Sequence, residues 1–385
     1  MPERIYLDNS ATTPVASEVF DAMRPYFDSA YGNASSLHAF GREARRAVEE
    51  SRAGIAEFLG VLPEEVVFTS GATEADNLAV LGTAYARDRR GGHVVSSAIE
   101  HHAVLHSVDW LASHGFEATL LDVDETGRID PDQVRAALRK DTFLVSIMAG
   151  SNEIGTLEPI AEIGALCRER GIVFHTDAVQ GFGKIDLPVE SVDLLSASAH
   201  KLHGPKGVGF LFVRRKTRLS PLMLGGGHER GRRSGTENVP GIVGFAAATR
   251  LAATERDQVT TRLRAFRAKL LEGVAAIPGT RLNGHPTESL PHIANFSFAG
   301  IEGESLVMRL DEEGIATSTG SACSSPDLEP SHVLVAIGVP LSMAHGSLRI
   351  STGRQTTPTD IDRLLDVLPR VVKDLRDLSP FKVGE

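Results

Sequence analysis

The sequence has few of the residues that mark several classes of protein. Its 385 residues include only two cysteines, Cys167 and Cys323, too few for a disulfide framework and typical of a reducing compartment such as the cytoplasm. No uninterrupted apolar run approaches the roughly 20 residues needed to cross a membrane. The N-terminal segment lacks the apolar core of a signal peptide. We therefore expect a cytoplasmic protein that makes no membrane contact.

The chain also lacks an excess of positive charge. Its formal net charge is −10, and the basic cluster at Arg230, Arg232 and Arg233 is too local to reverse that balance, so nucleic acid is not expected as a partner. Apolar residues make up 42% and charged residues 23%, the balance of an ordinary globular protein. A chain of this length suits one large domain and one smaller domain.

Strand and helix patterns alternate along most of the chain. Short apolar stretches of strand type are separated by stretches of helical period, which predicts a mostly parallel sheet covered by helices on both faces. Thr13 before Pro14 predicts an N-cap followed by the first helical residue. From about residue 265 the pattern predicts a smaller α+β unit. The predicted helices include 39–59, 78–87, 103–114, 160–170 and 239–276.

One segment, residues 196–209 with the sequence SASAHKLHGPKGVG, carries the first candidate for chemistry. It places Lys201 on a short loop between two apolar strands, among small residues that leave room for a ligand. An earlier strand ends in Asp177. A lysine that forms a Schiff base and an acid that pairs with a pyridinium nitrogen are the requirements of a pyridoxal phosphate site. Each residue taken alone is also compatible with an ordinary exposed side chain.

A second candidate is the turn between a strand at 66–69 and the following helix. Its sequence, TSGATEADN at 69–77, combines a strand, small residues and a helix start, and this geometry offers backbone N–H groups to a phosphate. Thr73 and Asp76 also have the spacing of a capping box, so both interpretations stay open. Glu100, His101 and the segment 151–153 follow strands as well, and the carboxyl ends of parallel strands gather ligands at one edge.

The two cysteines differ in their surroundings. Cys323 lies in a run of Ser, Thr, Gly and Pro, which is typical of a loop and of a reactive rather than a structural thiol. Cys167 lies at helical spacing among apolar residues, which predicts core packing. The adjacent pair His101 and His102 suggests a metal site, although metal sites need more converging ligands.

Taken together, these motifs resemble the cysteine desulfurases of the NifS/IscS group, which are fold-type I pyridoxal phosphate enzymes. The resemblance runs from about residue 5 to 380, and its specificity comes from the fixed order of many short motifs. They are LDNSATTP at 7–14, GN at 32–33, TSGATE at 69–74, EH at 100–101, NEIG at 152–155, HTDAVQ at 175–180, SAHK at 198–201, GGGHER at 225–230, RSGT at 233–236, SAC at 321–323 and RIS at 349–351.

The resemblance implies a role for each matching residue. Lys201 would be the Schiff-base lysine, Asp177 the partner of the pyridinium nitrogen, and His101 the histidine stacked on the ring. Cys323 would accept the sulfur as a persulfide and is a possible transient iron–sulfur ligand; no resident metal is implied. The remaining roles are cofactor contacts at Gln180 and Asn152, phosphate contacts at Ala72, Thr73, Ser198, His200 and, from a neighbouring subunit, Thr236, and substrate contacts at Arg349, Asn33 and Asn152.

The same resemblance implies the architecture and the partners. It implies a large domain at 15–260 with a mostly parallel seven-stranded sheet, and a smaller α+β domain formed by 1–14 and 261–385. It further implies a homodimer that desulfurates L-cysteine and passes sulfur to an iron–sulfur scaffold or a tRNA-thiolation protein. A cationic His200 beside Lys201 would keep the lysine amine partly neutral. Ala34, Ser151 and Ala199 differ from the residues common at these positions in the family, but they leave every reacting group in place.

Other functions explain only part of these residues. A selenocysteine lyase or an aminotransferase would share the cofactor site, but an aminotransferase does not need the thiol of Cys323. A cysteine hydrolase would leave Lys201 and Asp177 unexplained. A catalytically silent scaffold subunit would have no need of a complete set of reacting residues.

Overall fold

The computed structural model describes residues 4–87, 91–320 and 330–379. Its strands are β1 Ile5–Tyr6, β2 Val66–Thr69, β3 His93–Ser97, β4 Glu117–Leu121, β5 Thr142–Ser146, β6 Val173–Asp177, β7 Leu194–Ser198, β8 Gly209–Val213, β9 Thr280–Asn283, β10 Ile293–Phe298, β11 Ile315–Ala316 and β12 Ser347–Ser351. Its helices are α1 Ser17–Met23, α2 Pro25–Asp28, α3 Ala39–Leu59, α4 Ala72–Tyr85, α5 His102–Ser113, α6 Pro131–Ala137, α7 Ile160–Arg170, α8 Val239–Ala275, α9 Gly303–Glu312, α10 His332–Ala336, α11 Leu341–Ala344 and α12 Pro358–Leu378.

Seven strands form the main sheet, in the order β2-β8-β7-β6-β5-β3-β4. Only β8 runs antiparallel to its neighbours, β2 and β7, so the predicted mostly parallel seven-stranded sheet is confirmed. The central strands are buried along their whole length because helices cover both faces, which is why apolar residues occupy both faces of these strands rather than alternating with exposed polar ones.

Several helices begin and end where local signals place them. Helix α3 spans the predicted 39–59 and ends at Gly60, whose φ of 70° is the left-handed conformation that glycine adopts most easily. Helix α6 starts after Asp130, whose carboxylate accepts a hydrogen bond from the backbone N–H of Asp132. Helix α7 covers the predicted 160–170 and buries Cys167, and burial raises the pKa of that thiol to about 12. The packing role predicted for Cys167 is confirmed.

The predicted start of the first helix is wrong. Helix α1 begins at Ser17 rather than after Thr13. The Thr13 hydroxyl donates to the carbonyl of His200 and accepts from the backbone N–H of His203, so it is engaged by the lysine loop instead of capping a helix. A tertiary contact has therefore overridden a local capping signal.

Helix α4 also differs from the prediction, since it begins at Ala72, six residues before the predicted start at Leu78. The capping-box interpretation is wrong, because the N-cap is Gly71 and no side chain caps the helix. Asp76 is instead buried on the inner face of the helix. The helix start therefore reaches the end of β2 and presents uncapped N–H groups at the edge of the sheet.

A second, smaller sheet of three antiparallel strands has the order β12-β10-β9. Helices α8, α9 and α12 pack near it, and its apolar core joins Leu7 to side chains between Leu263 and Val372. The larger core lies elsewhere, around the seven-stranded sheet. The domain boundaries at 15–260 and at 1–14 with 261–385 stay a prediction. Within the described ranges, no helix is long and apolar enough to cross a membrane.

Candidate active site

A cleft of about 980 Å³ opens at the carboxyl edge of the parallel strands. Asn33 does not line it and lies exposed on the loop before α3, while Thr236 lines a neighbouring cavity that shares Ser70 and Gly207 with the cleft. Cys323 lies outside the described residues. The predicted residues that do line the cleft are Ala72, Thr73, His101, Asn152, Asp177, Gln180, Ser198, His200, Lys201 and Arg349.

Lys201 ends a single 3₁₀ turn, Ala199–Lys201, that directly follows β7. Its Nζ donates to the carbonyl oxygens of Ser10, at 2.5 Å, and Ala11, at 2.8 Å. Because β7 and β8 pair antiparallel on either side, the short connection holds the lysine at the sheet edge. The predicted position of Lys201 between two strands is confirmed, and the N-terminal segment is its immediate partner.

Asp177 is the last residue of β6, and only 8% of it is exposed. One carboxylate oxygen accepts a hydrogen bond from the backbone N–H of Val179 at 2.9 Å. Burial raises the pKa of Asp177, while electrostatic interaction with His101 and with Lys201 lowers it. Two further buried acids lie nearby, Asp76 and Glu100, and for each of them burial first and then the charge of Asp177 raises the pKa. The strand ends predicted Glu100 and Asp177 at this edge, but not that Asp76, a candidate capping residue, would join them.

His101 is the N-cap of α5, and its Nδ1 accepts a hydrogen bond from the backbone N–H of Ala103 at 3.1 Å. Burial lowers the pKa of His101, so the imidazole is neutral near pH 7 and carries its proton on Nε2. His102, His106 and His332 line the same cleft. In the part of the chain that the structure describes, no three His, Cys, Asp or Glu side chains are arranged to hold a metal ion.

The uncapped start of α4 forms the end of the cleft opposite the small sheet. Gly71 has no side chain to bond the free N–H groups of the first turn, which makes this helix start suited to an anion. Ser198 and His200 flank it from the lysine loop. The expectation of a cationic His200 is wrong, because burial, followed by the charge of Lys201, lowers the pKa of His200 to about 4.

Ion pairs fasten the loop at residues 224–236 beside this helix start, and two of them are largely buried. Arg233 contacts the carboxylate of Glu74 at 2.8 Å, and that carboxylate also accepts from the backbone N–H of Ser70. The guanidinium of Arg52 contacts both carboxylate oxygens of Glu229 at 2.7 and 2.8 Å, with the two side chains almost fully buried. Glu229 itself adopts a φ of 47°. The pairs hold this glycine- and arginine-rich segment in place.

Arg349 reaches the cleft from β12 of the small sheet. Its guanidinium donates to the carboxylate of Asp8 and to the backbone carbonyl of Asn152, both at 2.9 Å, and its Nε is buried without a partner among the described residues. Glu153 lies close by, and burial raises its pKa to about 7 although Ser331 donates to it and the charge of Arg349 opposes the shift. The cleft therefore contains one arginine with an unused donor.

Gln180 lies in the turn after β6 and connects several groups that sequence reasoning missed. Its amide nitrogen donates to the same Ser10 carbonyl that binds Lys201, and its amide oxygen is 3.1 Å from Nε2 of His292. The Nζ of Lys184 is 3.4 Å from that same ring nitrogen. The only signal for Lys184 was its position four residues after Gln180 in a strand-end turn, and His292 had none.

The comparisons with known proteins agree with this geometry. The family described as aminotransferase class-V matches residues 5–364. The chain belongs to the class-V aminotransferase family. A protein named cysteine desulfurase IscS from Methanosarcina thermophila is 50% identical over 383 residues, covering 99% of this chain and 95% of that protein. A putative cysteine desulfurase IscS 1 from Bacillus subtilis is 48% identical, covering 97% of this chain and all of that protein.

Solved structures related to this member of the class-V aminotransferase family give the same result. A NifS-like protein matches with a TM-score of 0.91 and 37% identity, covering 97% of this chain and 100% of that chain. A structure titled SspA in complex with cysteine matches with a TM-score of 0.79 and 38% identity, covering 90% of this chain and 98% of that chain. The resemblance to the NifS/IscS group and the fold that it implied are confirmed.

Proposed function

We propose that the protein is a pyridoxal phosphate-dependent cysteine desulfurase that removes sulfur from L-cysteine and leaves L-alanine. The observation that carries the proposal is one cleft in which a lysine, a buried carboxylate at a strand end, an uncapped helix start and an arginine converge. The approximately 50% identity to proteins named cysteine desulfurase over nearly the whole chain supports the choice of reaction.

The residues present fit the cofactor that the family implies. Buried polar atoms without partners in the described part of the chain, Ser10 Oγ, Asp76 Oδ1 and Glu100 Oε2, belong to residues that line the cleft. An uncapped helix start suits the phosphate, and Asp177 suits a protonated pyridine nitrogen at the other end. Pyridoxal phosphate, when bound, supplies an electron-accepting ring for the bond-breaking at the substrate's α-carbon.

We assign the cofactor contacts to the residues of the cleft. Ser198 and His200 would hold the phosphate together with Ala72 and Thr73 at the start of α4, and Thr236 would add a contact from a second subunit. Gln180 and Asn152 would face the phenolic oxygen. A neutral His101 suits stacking on the ring, because it brings no positive charge that would repel the protonated pyridine nitrogen beside Asp177.

The chain's own groups would then act on L-cysteine in sequence. Arg349, whose Nε has no partner within the described residues, would bind the substrate carboxylate, with Asn33 nearby. The amine of Lys201 would take the α-proton, and His101, which carries its proton on Nε2, would move protons at the substrate as a donor. The Cys323 thiolate would attack the substrate sulfur, forming a sulfur–sulfur bond as the carbon–sulfur bond breaks.

We further propose that the active unit is a homodimer built from the predicted large and small domains. Asn33 lies outside the cleft of its own chain, and the loop that carries it bears exposed apolar side chains, Tyr31, Leu37 and, at the start of α3, Phe40. Together with the implied role of Thr236, this supports a cleft completed by a second copy. Mixing inactive Lys201→Ala and Thr236→Ala proteins should restore part of the activity if each dimer then contains one cleft with both residues intact.

The acceptor of the sulfur belongs to the same proposal. A persulfide on Cys323 would be handed to an iron–sulfur scaffold or a tRNA-thiolation protein, and Cys323 would serve as a transient iron–sulfur ligand at most. The cytoplasmic location remains a prediction from the composition.

Product analysis tests the proposal directly. The purified protein should show a visible absorbance band from lysine-bound cofactor and should form L-alanine from L-cysteine without any 2-oxo acid. Mass spectrometry should then find one additional sulfur on Cys323. Cys323→Ser should keep the visible band and form no alanine. Alanine formation that required a 2-oxo acid would instead indicate an aminotransferase.

A further inference from the structure

A lysine that the proposed reaction does not use lies directly behind the cleft. Lys184 is partly buried and lines a small, mostly apolar cavity of about 60 Å³ together with Lys201, His292 and residues of α8. Within the described ranges Lys184 forms no ion pair, and the single hydrogen-bond partner of its Nζ is Nε2 of His292, at 3.4 Å. A lysine amine in such surroundings is costly to keep charged.

The groups around Lys184 do not neutralise the positive charge that its amine would carry when protonated. Lys201, His200, His203 and His292 all face it, and each either repels its charge or is a neutral imidazole. The acid lining the same cavity, Glu255, is paired with Arg354 at 2.6 Å, and Arg256, also in the cavity, is paired with Asp186. Burial, followed by the charge of Lys201, lowers the pKa of Lys184 to about 7.

His292 has only one proton to share between two neighbours. Only 2% of it is exposed, and burial lowers its pKa well below the ordinary value, so the ring is neutral. A proton on Nε2 is donated to the amide oxygen of Gln180, at 3.1 Å, whereas Nδ1 has no partner in the described residues. With Lys184 neutral, this arrangement satisfies Gln180.

Protonation of Lys184 reverses the arrangement. An ammonium group needs an acceptor, and the one within reach is Nε2 of His292. The ring proton must then move to the partnerless Nδ1, and the amide oxygen of Gln180 loses its donor. The amide nitrogen of Gln180 donates to the Ser10 carbonyl that also accepts from Lys201. Loss of the hydrogen bond between Gln180 and His292 therefore affects the group that positions the reacting lysine.

We propose that Lys184 and His292 are positioning residues that form a proton-operated switch on Gln180, engaged when Lys184 is neutral and released when Lys184 is protonated. This inference rests on the proposed function, because Gln180 is assigned there to the phenolic oxygen of pyridoxal phosphate. The switch joins the turn after β6 in the large sheet to the residue before β10 in the small one, two positions 108 residues apart.

Cofactor affinity measured against pH tests the switch. Trp110, the single tryptophan of the chain, lines the cleft, so its fluorescence reports binding of pyridoxal phosphate to the cofactor-free protein without an activity assay. Ratios between variant and wild type at each pH cancel the titration of the ligand and of other cleft groups. The wild type should lose affinity for pyridoxal phosphate between pH 8.5 and pH 6, and in Lys184→Met that loss should be about tenfold smaller. A factor of ten corresponds to one hydrogen bond of about 1.4 kcal/mol.

Two substitutions at His292 separate the switch from a packing role. His292→Phe lacks the donor and should bind about tenfold more weakly than wild type even at pH 8.5. His292→Gln keeps an N–H donor toward Gln180 and an acceptor for Lys184, so it should bind tightly at both pH values. Lys269→Met on the surface and His93→Gln in buried β3 serve as matched controls and should follow the wild type. A Lys184→Met protein with the wild-type pH dependence would overturn the switch, as would wild-type affinity at pH 8.5 in His292→Phe.

Failure of the proposed function would look different. A wild-type protein that bound no pyridoxal phosphate at any pH would refute the cofactor assignment, and thermal unfolding of the ligand-free chain would then decide the state of Lys184. An amine that is neutral in the folded protein and charged in the unfolded chain makes Lys184→Met melt higher than wild type, with a difference that grows from pH 9 to pH 6. An equal difference at the two pH values would contradict a titrating Lys184.

Discussion

The carboxyl edge of the seven-stranded sheet and the interior of the three-stranded sheet are buried to a similar degree with opposite contents. The edge encloses three carboxyl groups, Asp76, Glu100 and Asp177, which burial and mutual repulsion keep from ionising together. The small sheet encloses Phe298, Leu348 and other apolar side chains around β10 and β12. Some of its buried polar groups bond one another, as when Asn283 donates to Asn295 and Ser297.

The contrast separates the buried groups that oppose folding from those that stabilise the fold. Buried acid oxygens without a partner oppose folding, and among the described residues Asp76 and Glu100 each have one at this edge, so the edge is kept for a ligand rather than for the fold. The strands of the small sheet contain no acid, and the sheet extends one arginine, Arg349, toward the cleft. Substitutions at the edge should therefore change chemistry, and substitutions in the small sheet should change stability.

The largest effect is expected at Lys201, on the edge. Lys201→Ala should lower alanine formation from L-cysteine by at least about a thousandfold, because it removes both the covalent attachment and a proton acceptor. The unfolding free energy should change by less than about 1 kcal/mol, since its hydrogen bonds go to backbone carbonyls at a solvent-accessible cleft. Borohydride reduction and peptide mapping of the wild type provide the check, and a label on another lysine would refute the assignment.

The next effect is expected in the small sheet. Phe298→Ala should lower the unfolding free energy by about 3 to 5 kcal/mol, because the side chain is fully buried and its removal leaves a cavity. Urea unfolding measures the loss, and activity below the transition should stay near the wild-type level. Phe27→Ala is the matched control, since Phe27 is 63% exposed. A large loss of activity in folded Phe298→Ala would remove the division between support and site.

Arg349 connects the two regions, and its effect should be intermediate. Arg349→Lys should raise KM for L-cysteine by roughly tenfold to a hundredfold, with a smaller effect on kcat, because lysine replaces a planar two-pronged donor with a point charge. Arg363→Lys on the exposed face of α12 provides the control. An unchanged KM would show that the substrate carboxylate is bound elsewhere.

The smallest effect is a pH-dependent gain in stability at the edge. The folded-state pKa of Glu153 is raised to about 7, so ionisation opposes folding progressively as the pH rises from the unfolded value near 4.5 to about 7. Glu153→Gln removes that penalty and should be more stable than wild type by about 1 to 3 kcal/mol at pH 8, with little difference at pH 4.5. Urea unfolding at both pH values measures it, and a constant difference would contradict a buried, titrating Glu153.

Local sequence signals located many elements because their causes are local. Helices α3 and α7 lie where periodicity places them. The failures came where a tertiary partner took over a local group. The hydroxyl of Thr13 bonds the lysine loop, and α4 starts early to meet the end of β2.

The sequence by itself determined which reactive groups converge, because parallel strands bring their carboxyl ends to one edge and Lys201, Asp177 and His101 each follow a strand. It could not determine the charge of those groups. His200 is neutral, Glu153 titrates near 7, and Lys184 meets His292 across 108 residues. The physical reason is that a pKa depends on burial and on charges within a few ångströms, and only the tertiary structure decides which groups come that close.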